Sequence, residues 1–147
     1  MAVRGGRRRR SSKGEPFTVR FDRETQRAIE DEARRTRRSR TALVEELADE
    51  ALRTRRFPGI GFRDSFPNRR AWLTGAGLDV WELCELVDRY PDVEMLLADF
   101  AHVRRPHVDL ALAYREAYRD EIDGLIAENN RPPEEWRRLY PFVRAAL

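Results

Sequence analysis

The chain has 147 residues, 41% hydrophobic and 37% charged, with a mean hydropathy of −0.74 and a formal net charge of +3. That length fits one ordinary domain or two very small ones, and the composition is polar without matching a wholly disordered chain. No apolar run approaches a bilayer span, no apolar segment follows the early RRRR in the manner of a secretory signal, and the single cysteine, Cys84, excludes an intrachain disulfide, so the cytoplasm is the expected compartment.

The charge is unevenly placed. Residues 1–56 carry 17 Arg or Lys and 10 Asp or Glu, a surplus of +7, whereas residues 57–147 carry 12 and 16, a balance of −4. A basic front suits a polyanion; an acidic rear suits a basic protein or no particular partner.

Residues 1–15 have no periodicity and few apolar side chains, and read as a disordered basic arm. FTVRFDRE follows, at 17–24. Its alternation predicts a strand over 16–21, with Phe17, Val19 and Phe21 on one face and Thr18 and Arg20 on the other. A lone strand leaves its backbone N–H and C=O groups unpaired. No neighbouring segment supplies a partner, so a second copy of the chain is expected to. Asp22 is a helix N-cap for RETQRAIEDEARRTR, whose apolar stripe is narrow: Ala28, Ile29 and Ala33. After a break at RRS, Ser39 caps a second helix, with Ala42, Leu43, Leu47, Ala48, Ala51 and Leu52 on one broad face.

Phe57-Pro58-Gly59 reads as a linker. Two short apolar stretches around Phe66-Pro67-Asn68 predict a β-hairpin. Leu78-Asp79 opens a helix with Val80, Leu83, Cys84 and Val87 inward, stopped by Pro91. DVEMLLADF is a second helix. RPHVDLALAYREAYRDEIDGLIAE is a third, with Pro106 in its first turn and a break near Asp120. Pro132-Pro133 precedes a last segment, EEWRRLYPFV. The organisation is an arm at 1–15, a front unit at 16–56, a helical domain at 57–130 and a tail at 131–147.

A forty-residue front with roughly nine medium apolar side chains cannot bury enough surface alone. Two chains pairing strands antiparallel and interlocking helices meet both needs. The strand FTVRFDRE, its Asp cap, the first helix and RRTRRSRTALVEEL resemble the ribbon-helix-helix family of the MetJ, Arc and CopG type. The resemblance covers residues 16 to about 55 and departs from the family at Arg37, where glycine is usual. It implies a mainly α dimer with an N-terminal strand that binds double-stranded DNA.

In such a dimer the ribbon enters the major groove. Thr18 and Arg20 face the bases, and an arginine can bond bidentately to guanine O6 and N7. The second helix offers its N-terminus to phosphate through Arg38, Ser39 and Arg40. Arg7, Arg8, Arg9, Arg10 and Lys13 of the arm add phosphate contacts. An unrelated small α+β domain with a solvated charged face is the plainer reading.

The rear half carries no catalytic set, so no enzyme activity and no cofactor are expected. His102 and His107 flank a helix break, without a metal-site pattern. The TGAG at 74–77 lacks the strand-to-helix context of a phosphate loop and reads as a turn. The segments FPGIGFRD, AWLTGAGLDVWEL and ALAYREAYRDEID resemble a domain of unknown function found in VapB-like antitoxins, with a helix-turn-helix-like shape over 79–118. That resemblance implies the antitoxin of a type II toxin–antitoxin module, which represses its own operon and neutralises a PIN-like ribonuclease. In the tail, Trp136, Arg137, Arg138, Tyr140 and Phe142 are the candidate toxin-binding residues, or else they close the rear core. The alternative function is a stand-alone repressor whose rear domain senses a small molecule or aids oligomerisation.

Overall fold

The computed structural model describes residues 14–140. Among them are seven helices and one three-stranded antiparallel sheet, in the order α1 (Arg23–Thr36), α2 (Arg40–Arg56), β1 (Ile60–Arg63), β2 (Arg70–Leu73), β3 (Leu78–Asp79), α3 (Val80–Arg89), α4 (Val93–Asp99), α5 (Arg105–Ala117), α6 (Arg119–Asn129) and α7 (Pro133–Leu139). The mainly helical class and the hairpin are as expected from the sequence. None of these helices is long and apolar enough to cross a membrane.

The front helices start where their caps stand. The Asp22 carboxylate accepts the Thr25 N–H at 2.8 Å and the Thr25 hydroxyl at 2.8 Å, and the first of these bonds is the main reason its carboxyl is held below the usual range. The Ser39 hydroxyl accepts the Ala42 N–H at 3.1 Å. Between the helices Arg37 is left-handed, with φ 54° and ψ 41°, and the Arg38 N–H closes onto the Ala33 carbonyl at 2.9 Å. The turn therefore keeps the geometry that glycine usually supplies, at a cost of about 1–2 kcal/mol for a residue with a Cβ.

Packing inside the front is slight. Only Ala33 of α1 and Leu43 of α2 are buried. Leu47, Ala48, Ala51 and Leu52, expected on one inward face of α2, all stand exposed in the single chain. Residues 16–21, expected as a strand, belong to no ladder in the single chain, and Phe17, Val19 and Phe21 are 86%, 52% and 42% exposed. A ladder needs a second backbone, and none of the described residues brings one to this segment.

The rear half is a closed core. The inner sheet face supplies Ile60, Ala71 and Leu73. Helix α3 supplies Val80, Leu83 and Cys84, α4 Leu96, α5 Val108, Ala111 and Tyr114, and α6 Ile122. At about 1.5–3 kcal/mol for each large side chain fully withdrawn from water, this is where the stability of the single chain resides. Burial pushes the Cys84 thiol up to about 12, and the thiol sits 3.6 Å from the Ala111 carbonyl, so it is a small core residue. Gly77, at φ 68°, makes the tight turn from β2 to β3, and the TGAG segment is that turn.

The break expected near Asp120 falls at Tyr118 (φ −128°), whose ring packs against Phe57 and Tyr114. One boundary differs from the expectation. Phe57 is no linker residue. It is 8% exposed and packs edge-on against Tyr114 at 5.3 Å, so α2 runs directly into the rear core.

Candidate nucleic-acid interface

Thr18 and Arg20 lie exposed on the segment that leads into α1. Ser39 and Arg40 lie exposed at the start of α2. In one chain the two sets stand at opposite ends of α1, whose fourteen residues span about 21 Å. A single chain does not bring them together.

Helix α2 opens with N–H groups ahead of its hydrogen-bonded ladder, Ser39 satisfying the one at Ala42. An open cleft beside this helix start runs from Glu30 and Ala33 to Arg34, Arg37, Ser39 and Arg40. The predicted phosphate contacts there are not equivalent. Arg40 is two-thirds exposed and bonds Glu30 at 3.2 Å, a pair that water and a phosphate can readily replace. Arg38 is engaged: its guanidinium is paired with Glu46, reaches the Ala42 carbonyl at 3.4 Å and lies 4.5 Å over the Phe66 ring. Arg38 thus ties the turn between α1 and α2 to the tip of the hairpin, a role its sequence position does not disclose. Arg37, placed left-handed and exposed, is the cation that turns outward instead.

The hairpin lies along α2. Arg69 binds Glu50 bidentately through Nε and Nη2, the latter at 2.8 Å, and its Nη1 donates to the Asp64 carbonyl at 2.8 Å. Further along, Arg53 of α2 enters the rear half. It donates to the Tyr114 hydroxyl at 2.8 Å and to Glu121 at 2.6 Å, and its guanidinium stacks 3.9 Å from the Tyr118 ring centre. Asp49 comes within 2.9 Å of its Nε without lining up with the N–H, so it supplies charge rather than a directed bond. Burial opposes the charge on Arg53, and the bonds from Glu121 and Tyr114 outweigh it, holding the guanidinium more firmly protonated than in water. These partners lie 61 and 68 residues away in sequence, and no local pattern announces them.

Helix α7 carries Trp136, Arg137 and Arg138, and Tyr140 caps it. No residue of α7 is buried and none belongs to the rear core. Trp136 stacks on Tyr140 at 5.5 Å, with Arg131 5.3 Å over the indole. Trp136 and Tyr140 therefore do not close the rear core. Phe142 in the tail and Arg7, Arg8, Arg9, Arg10 and Lys13 in the arm lie outside the described residues. Among the described residues no three His, Cys, Asp or Glu side chains are grouped to hold a metal ion. His107 acts within α5, its Nδ1 accepting the Arg104 N–H at 3.1 Å.

Comparisons of the chain with protein-family models, with curated proteins and with solved structures each find no match.

Proposed function

We propose that the chain is a dimeric, sequence-specific DNA-binding repressor of ribbon-helix-helix type. One observation carries the reading. The rear half closes a full core, while the front presents three alternating apolar side chains on an unpaired segment beside two capped helices that bury only Ala33 and Leu43. A twofold partner satisfies both at once, pairing the segment's backbone and covering Phe17, Val19 and Phe21. The pleat then turns Thr18 and Arg20 outward in two copies, as a ribbon of major-groove width. The +7 surplus of residues 1–56 favours a polyanion on that side.

The test is selection of a duplex from a randomised pool by the full chain, followed by binding measurements with Arg20→Ala. Loss of a bidentate guanine contact costs roughly 1–3 kcal/mol, doubled by symmetry, and flattens the sequence preference. If Arg20→Ala discriminates among duplexes as the parent does, base readout is not on this face.

A second reading adds a protein partner and makes the chain an antitoxin. It is favoured by α7, where stacked Trp136 and Tyr140 and the exposed Arg137 and Arg138 stand clear of the core beside an otherwise acidic half. An aromatic anchor with flanking arginines suits the acidic cleft of a metal-dependent ribonuclease. Co-expression with the product of the adjacent reading frame is expected to give a co-purifying complex that Trp136→Ala with Tyr140→Ala abolishes. A complex surviving both changes removes the tail from that role.

A further inference from the structure

The antiparallel register sets Arg63 of β1 directly opposite Arg70 of β2. The inner residues of these strands are Ile60, Phe62, Ala71 and Leu73, so both arginines stand on the outer face, together with Trp72. Like charges directly opposite on a ladder destabilise it. Arg63 is neutralised: it bonds Asp79 at 2.7 Å and lies 5.1 Å over the Trp72 ring. Among the described residues no carboxylate pairs with Arg70. The same strand end leads into the loop whose Phe66 carries the Arg38 guanidinium, one residue from Ser39 at the start of α2. The hairpin tip thereby lies beside the turn that leads into α2, and Arg70 is the hairpin cation without a carboxylate partner among the described residues.

We infer that the β1–β2 hairpin is a second DNA-backbone contact, with Arg70 as its phosphate-binding cation, flanking the groove that the ribbon enters. The inference rests on the DNA-binding reading above. A phosphate beside Arg70 supplies the counter-charge that Arg70, unlike Arg63, lacks, and the Arg38–Phe66 stack sets the hairpin tip against the turn between α1 and α2. The hairpin then approaches the duplex as a rigid extension of α2, and the contact carries no sequence information.

The experiment compares the full chain with Arg70→Gln and Arg70→Lys on one duplex selected by the parent from a randomised pool. The slope of log affinity against log salt is expected to fall by about 0.9 for each protomer in Arg70→Gln, so that affinity drops about tenfold less between 50 and 200 mM salt. Sequence preference is expected to stay as in the parent, and the thermal midpoint to stay or rise as the like-charge pair is relieved. Arg70→Lys is expected to keep the parental slope. An unchanged slope in Arg70→Gln, a lowered midpoint, or a lysine variant behaving as the glutamine one overturns the inference while leaving the ribbon reading intact. A parent that selects no duplex overturns both.

Discussion

Full-length chain is expected to sediment at twice its 17.3 kDa mass at micromolar concentration, and the triple variant Phe17→Ala, Val19→Ala, Phe21→Ala at the single mass. In one chain these side chains face water, so pairing withdraws a large apolar area and truncation forfeits it twice over. At roughly 1 kcal/mol or more for each truncated side chain, six positions amount to about 6 kcal/mol, or some four decades in the dimer Kd. Far-ultraviolet circular dichroism should barely change over the rear helices, because the core from Ile60 to Ile122 contains none of the three. A parent chain that remains monomeric at tens of micromolar would end the shared-core reading. So would a triple variant that dimerises as tightly as the parent.

The second large effect is expected at Arg53. Arg53→Ala removes the cation from Glu121, the donor from the buried Tyr114 hydroxyl and the guanidinium from the Tyr118 ring in one step. Breaking a fully buried pair costs about 3–5 kcal/mol; Glu121 is about one-third exposed, so about 2–3 kcal/mol is expected here. Arg53→Lys should fall between, since an ammonium keeps the charge but neither the fork nor the stacking plane. Arg34→Ala is the matched control. Its partner Asp31 is one turn away and both side chains are about 70% exposed, so a change within about 0.5 kcal/mol is expected. Urea midpoints followed by tryptophan fluorescence report all three. Equal midpoints for Arg53→Ala and Arg34→Ala would mean that α2 is not anchored to the rear half through this network.

The Arg53 and Phe57 contacts bear on how the halves act. The charge split and the Phe57-Pro58-Gly59 signal suggest two separable units, but the end of α2 is built into the rear core, and Glu50 holds the hairpin through Arg69. A cut after residue 56 therefore strips the rear half of Arg53, Glu50 and the helix that carries them.

Much of the molecule is legible along the chain because its causes are local. Asp22 and Ser39 mark helix starts because a side-chain oxygen satisfies an N–H within three residues. The inward face of α3 follows from helical spacing, and the turn at 74–77 from its glycines. The alternation of Phe17, Val19 and Phe21 likewise states a need for a partner without saying where in one chain it lies. What only the tertiary structure decided are the long-range pairings. Arg38 looks like a free cation beside a helix start until Phe66 and Glu46 take it. Phe57 looks like part of a linker until Tyr114 and Tyr118 close around it. Arg63 and Arg70 become opposed only once the ladder sets their register. Local hydrogen bonding and periodicity are written into neighbouring residues, whereas the partner of a buried cation or ring is chosen by which elements share a core, and that choice exists only once the chain has folded.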